Sequence, residues 1–162
     1  INPDDVVLEH GADALRLYEM FMGPLEAVKP WQTAQLLGVV RFRDRVYNLL
    51  NKGFSNDNLN ELNENNDQLV REMHKTIKKV TEDIEKLAFN TAISTLMIYS
   101  NTLQGINGPI PRVAYENLVL LLAPFAPHVA EECWSLIGHK SSLAHHSWPT
   151  YKEEYCEESA VT

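Results

Sequence analysis

The sequence predicts an all-α protein, an antiparallel helical bundle, and three observations support this. Apolar residues recur at three- and four-residue steps along nearly the whole chain, whereas the alternation typical of strands is rare. Glycine and proline positions divide the chain into segments of helix length. The segment 67–87 carries an unbroken apolar stripe, which is typical of a helix packed nearly parallel or antiparallel to a neighbour.

Two short helices are expected at the beginning. Asn2 with Pro3 and two following aspartates forms a helix-start signal, since proline suits the first turn and carboxylates favour the positive end of the helix dipole. This helix should extend through Glu9 and end at His10 and Gly11. A second, amphipathic helix should extend through Met22 and stop at residues 23–24. In the loop that follows, to residue 33, we expect Trp31 to be buried against the bundle.

A long helix is predicted over residues 34–52. Its apolar side is formed by residues at offsets of three, seven, ten and eleven, namely Val39, Phe42, Val46, Leu49 and Leu50. Gly53 is expected to close it as a C-cap. The asparagine-rich stretch up to residue 66 has few apolar residues, so we interpret it as a surface connection.

The second half of the chain should contain four more helices. The first is the striped helix 67–87, whose apolar positions are Val70, Met73, Ile77, Val80, Ile84 and Leu87. The others are expected at residues 90–103, at 111–123 and, after a proline-bearing turn at 124–127, up to Gly138; proline prevents a straight helix at either junction. From His139 onward the composition is polar and acidic, which indicates an extended tail with one aromatic anchor, Trp148.

Composition limits the classes of function. The chain has 162 residues, a net charge of -8 and 44% hydrophobic residues, as expected for one globular domain. This charge argues against a nucleic-acid surface over the whole body, but residues 41–90 contain as many bases as acids, so a phosphate-binding surface would be local. No apolar run approaches the roughly 20 residues of a membrane span. Cys133 and Cys156 have no pairing framework, which favours a reducing compartment.

One candidate phosphate-binding site lies on the helix 34–52. Arg41 and Arg45 are four residues apart on one face, and Asn48 and Lys52 complete the row on the side away from the apolar stripe. A line of cations suits a phosphate backbone whose charges are regular and whose sequence is not read. The alternative is a solvated helix face on which Asp44 is the local partner.

A second candidate is the outer face of the helix 67–87. Arg71, Lys75 and Lys78 line it, with Lys79 one position around. Three acidic residues follow at once, Glu82, Asp83 and Glu85. Ion pairs along the helix are therefore the alternative to RNA binding.

Catalysis and metal binding have no support in the sequence. The histidines at 128, 139, 145 and 146 lack the spaced cysteine or carboxylate partners of a metal site, so we expect no metal. Adjacent carboxylates such as Glu131 and Glu132 point about 100 degrees apart on a helix and do not form an acid–base pair. Cys133 has no activating base. We expect no catalytic residue in the chain.

Several sequence words resemble leucyl-tRNA synthetase of the bacterial type, a class I enzyme. NPDD, GADALRLY, MFMGPLE and KPW in residues 1–31 resemble the region just after its KMSKS catalytic loop. Residues 38–47, GVVRFRDRVY, match the family pattern GxxRFxxRV(W/Y), with Arg41 and Arg45 on its two arginines. FNTAI at 89–93, APFAPHVAEECW at 123–134 and WP at 148–149 resemble its anticodon-binding domain.

The resemblance implies a bundle of the class I synthetase anticodon-binding type and three regions. Residues 1–33 would end the stem-contact segment of the catalytic core, 34–138 would form the helical anticodon-binding domain, and 139–162 would be an extended tail leading to a C-terminal domain. The parent would be a leucine–tRNA ligase that uses ATP and Mg²⁺, with its catalytic and editing sites outside this chain. The chain itself would need no cofactor.

The implied role is to position leucine tRNA by backbone contacts, next to the remaining domains of the synthetase. The expected tRNA-binding residues are Arg41, Arg45, Lys52, Arg71, Lys75 and Lys78. No membrane is involved, and the expected compartment is the cytoplasm, with an organelle as the alternative. Two other functions remain open: a stand-alone protein-interaction module derived from a synthetase, and the equivalent domain of an isoleucine or valine enzyme, which shares the FNTAI word.

Overall fold

A computed structural model describes residues 2–22 and 31–157. Within these ranges the secondary structure is almost wholly helical, which confirms the predicted all-α class. The helices are α1 Pro3–His10, α2 Ala12–Phe21, α3 Thr33–Asn48, α4 Asp67–Glu85, α5 Phe89–Gln104, α6 Arg112–Leu122, α7 Pro127–Leu136 and α8 Glu153–Cys156. Two 3₁₀ turns, Leu49–Lys52 and Leu143–His145, and two short strands, β1 Phe54–Ser55 and β2 Ile110–Pro111, complete the order.

The first two helices begin and end as predicted. The Asn2 side chain accepts a hydrogen bond from the Asp4 backbone nitrogen at 2.9 Å and so caps α1. Gly11 has φ +90°, which an L-residue rarely adopts, and it separates α1 from α2. The predicted stop at residues 23–24 lies outside the described residues. Trp31 is only half-buried, with its ring 4.5 Å from that of Tyr18.

The predicted helix 34–52 is present as α3, whose last turn tightens into the 3₁₀ turn Leu49–Lys52. Gly53 ends it with φ +74°, as expected of a C-cap glycine. The segment after it is not purely a connection: β1 pairs in parallel with β2, with Phe54 opposite Ile110. The prediction missed this pair because a two-residue strand is too short to show an alternating pattern.

The striped helix ends two residues earlier than predicted. Leu87 has φ +60°, and its backbone nitrogen donates to Ile84 O, while that of Ala88 donates to Asp83 O at 2.7 Å. These bonds form a Schellman motif, which satisfies the last carbonyls of α4 and reverses the chain direction. The side chain of Leu87 is therefore exposed, and α5 packs back along α4.

The core lies between α2, α3, α4, α5, α6 and α7 and is formed by their buried faces. The stripe positions Val70, Met73, Ile77 and Val80 are buried as predicted. Two tyrosines that are fully buried bring their hydroxyls to backbone carbonyls: Tyr99 donates to Ala114 O and Tyr115 donates to Val46 O, both at 2.8 Å. Pairing these hydroxyls removes the cost of burying them.

In the described part of the tail, residues 139–157, Trp148 is an anchor as expected, but the segment also contains two short helical turns and has further contacts with the bundle. At the start of this segment the His139 ring stacks on the Trp134 ring, with 3.7 Å between the ring centroids. The 3₁₀ turn Leu143–His145 follows. Residues 148–157, here called the strap, lie along α4 and end in the helix α8. The domain boundaries at 33 and 138 stay a prediction.

Candidate nucleic-acid interface

Helix α3 has one buried face and two flanks with different partners. Leu36, Val39, Phe42 and Val46 are buried, and this fixes the rotation of the helix about its axis. Arg41 then projects to the outside, Arg45 points toward α5, and Arg43 points toward the α1–α2 junction. The cations of α3 thus have three different environments.

Arg41 and Arg45 keep guanidinium donors available for an anion. Arg41 is exposed, and Arg45 is half-buried with its Nη1 3.5 Å from Ser100 Oγ, at the limit of a hydrogen bond. Neither guanidinium forms an ion pair with any carboxylate of residues 2–22 and 31–157. Two unpaired guanidinium groups one helical turn apart present their donors to an anion from solvent.

Asp44 is not the partner of Arg41 or Arg45, as the alternative of a solvated helix face would have it. Its Oδ1 accepts from both Nε and Nη2 of Arg43 at 3.2 Å, and Arg43 also donates to the backbone oxygen of His10. Arg43 therefore joins α3 to the end of α1, a role that the sequence did not reveal because the contact is 33 residues distant. The Asp44 carboxylate therefore pairs with Arg43 and does not neutralise Arg41 or Arg45.

Lys52, predicted to bind tRNA, is already engaged within the chain. Its Nζ donates to Ile106 O at 2.6 Å and to Gln104 O at 3.3 Å. These carbonyls lie at and just after the C-terminus of α5, where a cation is favoured by the helix dipole. Lys52 thus joins α3 to α5, and its RNA role stays a prediction.

A buried carboxylate connects the N-terminal helices to α7. Asp13, 5% exposed, accepts from the Val129 backbone nitrogen at 2.7 Å and lies 2.8 Å from Nδ1 of His128. It therefore caps the N-terminus of α7 from a distant part of the chain, where negative charge is stabilised. Nearby, Tyr47 donates to Glu132 at 2.7 Å, and burial followed by this bond raises the pKa of Tyr47. These contacts fix α2, α3 and α7 around the arginines.

The second predicted cation group, on α4, lies under the strap. Arg71 Nε pairs with Asp67 at 2.9 Å, and its Nη1 donates to Glu157 O at 2.7 Å and Glu154 O at 3.5 Å. Lys78 pairs with Glu153, and this hydrogen bond raises the pKa of Lys78. Lys75 is exposed between them. Lys79 pairs along the helix with Asp83 at 2.9 Å, as the sequence alternative predicted, and the Arg71–Asp67 pair likewise joins residues four apart on α4.

His74 joins α4 to the strap through a ring nitrogen that can be protonated. Its Nδ1 accepts from the Lys152 backbone nitrogen at 2.9 Å, and its ring meets Tyr155 edge-on at 5.0 Å. Burial, followed by the Lys152 ammonium, lowers the pKa of His74 below its ordinary value. Arg71 and Lys78 on the same helix add cations nearby, whereas Glu153 of the strap adds an anion. A proton on Nδ1 would remove the acceptor.

We expect the strap to detach as the pH falls. Because the folded pKa of His74 is depressed, the stabilisation of the docked strap is complete above about pH 6.5 and is lost as the pH falls through the folded pKa. Hydrogen exchange of the strap amides, corrected for the intrinsic pH dependence of exchange, measures this. His74→Asn keeps an acceptor that does not titrate, so its strap should stay protected. If the strap amides of the unmodified chain and of His74→Asn lost protection equally at low pH, the effect would come from the carboxylates of the strap instead.

Other chemistry-bearing groups are used in packing. Cys133 is buried, and burial raises its pKa to about 11, so the thiol stays protonated. Trp134 is buried, and Trp148 donates to Thr81 Oγ1 at 2.9 Å. Over residues 2–22 and 31–157, no three His, Cys, Asp or Glu side chains group as metal ligands, and no helix is long and apolar enough to cross a bilayer.

The chain is similar in sequence to a domain family of tRNA ligases and to individual leucine–tRNA ligases. The family described as "Anticodon-binding domain of tRNA ligase" matches residues 66–162. The chain is 54% identical over 161 residues to "Leucine--tRNA ligase" of Sorangium cellulosum, covering 99% of the chain and 18% of that protein. It is 53% identical over 154 residues to "Leucine--tRNA ligase 1" of Rhizobium johnstonii, covering 93% of the chain and again 18% of the relative.

A solved structure shares the fold. The ternary complex of Agrobacterium radiobacter K84 agnB2 LeuRS with tRNA and LeuAMS superimposes with a TM-score of 0.83 at 33% identity. The match covers 97% of this chain and 22% of that one. The chain thus spans about a fifth of the length of these relatives.

Proposed function

The chain belongs to the anticodon-binding domain family of tRNA ligases, and from this premise we propose that it holds leucine tRNA by its phosphate backbone within a leucine–tRNA ligase. The resemblance to leucyl-tRNA synthetase seen in the sequence words is confirmed by these relatives, and so is the bundle type. The activity of the whole ligase, ATP- and Mg²⁺-dependent attachment of leucine to tRNA, is proposed for a parent protein. The residues that catalyse this reaction would lie outside this chain. The ligase would act in the cytoplasm.

The observation that supports the proposal most is that Arg41 and Arg45 have no carboxylate partner among the described residues. Both are carried on α3, whose buried face holds them in place, and neither is paired with a carboxylate among the described residues. Phosphate contacts fix register and orientation without reading bases. Trp134 is buried, and the half-buried Trp31 packs one side of its ring against Tyr18, which limits base stacking by these two tryptophans. On α3, the proposed contact consists of these two arginines.

The proposal predicts separate effects on binding and on chemistry in the parent ligase. Arg41→Ala combined with Arg45→Ala should raise the KM for leucine tRNA by roughly 10- to 100-fold, as two charge-assisted contacts are lost. Leucine-dependent pyrophosphate exchange, which needs no tRNA, should stay near that of the unmodified enzyme. Aminoacylation kinetics and the exchange assay measure the two effects.

Lys140→Ala is a matched control, because it removes an exposed cation from another part of the chain. It should leave both assays unchanged. Equal losses in both assays for the arginine pair would mean that these residues only maintain the fold. An unchanged KM would refute the proposed contact.

A further inference from the structure

The strap follows α4 in the antiparallel direction and meets it at four points. Trp148 Nε1 donates to Thr81, the Lys152 backbone nitrogen donates to His74, Glu153 pairs with Lys78, and the carbonyls of residues 154 and 157 accept from Arg71. From Trp148 to Glu157 the strap thus extends from the end of α4 toward its beginning. It crosses the cationic face of the helix.

The strap presents oxygen atoms to this face. Lys78 meets a carboxylate and Arg71 meets two backbone carbonyls, so both cations bind acceptors of the kind that a phosphate backbone supplies. Lys75, between them, is exposed and has no hydrogen bond or ion pair with any described residue. At positions i, i+4 and i+7 the three cations form a row about 10 Å long on one helix face.

The strap is held mainly by partly exposed contacts, and its apolar contribution to the core is limited to the partly buried Tyr151 and Tyr155. No residue of α8 is buried, and this helix has only four residues. Trp148 remains 36% exposed, and the ion pair of Lys78 with Glu153 is open to water. Exposed ion pairs contribute little to stability, and segments with few buried apolar contacts open first. His74 is the one buried residue of α4 that holds it by a hydrogen bond to the backbone.

We propose that the face of α4 carrying Arg71, Lys75 and Lys78 is a second polyanion-binding surface, which the strap closes by standing in for the phosphate groups of RNA. RNA and the strap then compete for the same cations. The inference rests on the proposed function only in taking RNA as the polyanion. It concerns a different helix from the arginine pair of α3, so the two are separable by mutation.

Opening the strap tests this directly. In the 162-residue chain, Glu153→Gln with Tyr155→Ala removes the ion pair to Lys78 and the ring contact to His74. Binding of a short fluorescein-labelled RNA hairpin of arbitrary sequence, followed by anisotropy at low salt, should become roughly tenfold tighter. The slope of log K against log salt should steepen by about 2, as three more phosphates are neutralised. Adding Lys75→Ala and Lys78→Ala to the opened variant should abolish the gain.

Glu154→Gln is the matched control, because it removes the same charge from the strap without touching Lys78. It should leave binding unchanged; a gain equal to that of the opened variant would reduce the effect to net charge and overturn the proposal. Trp148→Ala opens the other end at an exposed residue and provides a second route if the first variant folds poorly, as judged by helical circular dichroism.

The remaining outcomes separate the two surfaces. A gain that persists in a background without Arg41 and Arg45 supports the α4 surface, whatever becomes of the α3 contact. Unchanged affinity in both opened variants refutes the α4 surface and leaves the α3 contact standing. A gain that survives loss of Lys75 and Lys78 also refutes it.

Discussion

Replacing Phe42 by alanine will lower the free energy of unfolding by about 3–5 kcal/mol, the usual cost of removing a buried phenyl ring and leaving a cavity. Phe42 is 1% exposed and lies on the buried face of α3 between the two arginines of the proposed contact. Chemical denaturation followed by circular dichroism measures the change. RNA binding should weaken as well, because α3 would no longer be held in one rotation.

The adjacent residue provides the control for this variant. Arg41 is exposed, so Arg41→Ala should alter the free energy of unfolding by no more than about 0.5 kcal/mol. The contrast between neighbours separates the support of α3 from its binding surface. A loss below about 1 kcal/mol for Phe42→Ala would mean that α3 does not pack as described.

Replacing Asp13 by alanine will destabilise the chain by about 2–3 kcal/mol. The variant removes the cap of α7 and leaves the buried backbone nitrogen of Val129 without an acceptor. Asp13→Asn should cost less, since its carboxamide oxygen still accepts this bond. Denaturant unfolding of the two variants gives the comparison.

His128→Gln isolates the other half of this contact. The His128 side chain is 79% exposed, so losing its bond to Asp13 should cost less than about 0.5 kcal/mol. If His128→Gln proved as destabilising as Asp13→Ala, the stabilisation would come from the histidine pair and the capping role of Asp13 would be wrong.

The helices were predictable because their signals are local. The three- and four-residue repeat of α4, the cap at Asn2 and the closing Gly53 each depend on a few neighbouring residues. The same periodicity predicts Arg41 on the outside of α3, where the structure has it. The sequence places the end of α4 two residues too late, at Leu87 instead of Glu85. The reason is that leucine rarely adopts the left-handed conformation that ends this helix.

The contacts of the charged residues were not predictable, since they join distant parts of the chain. Lys52 meets carbonyls 52 and 54 residues away, and Arg71 meets the strap more than 80 residues away. Nothing in the spacing of these cations distinguishes a side chain that binds the chain's own backbone from one left free for RNA. Of the six residues expected to bind tRNA, only Arg41, Arg45 and Lys75 lack an ion pair and a bond to a backbone carbonyl of the described chain.

The salt dependence of tRNA binding tests the contact by Arg41 and Arg45 most directly. Affinity of the chain for a leucine tRNA transcript should be measured over a series of salt concentrations, with and without the Arg41→Ala and Arg45→Ala pair. If each guanidinium neutralises one phosphate, the slope of log K against log salt should become shallower by about 1.5 in the double variant. Two parallel lines, displaced or not, would show that the arginines release no counterions and do not touch the RNA backbone.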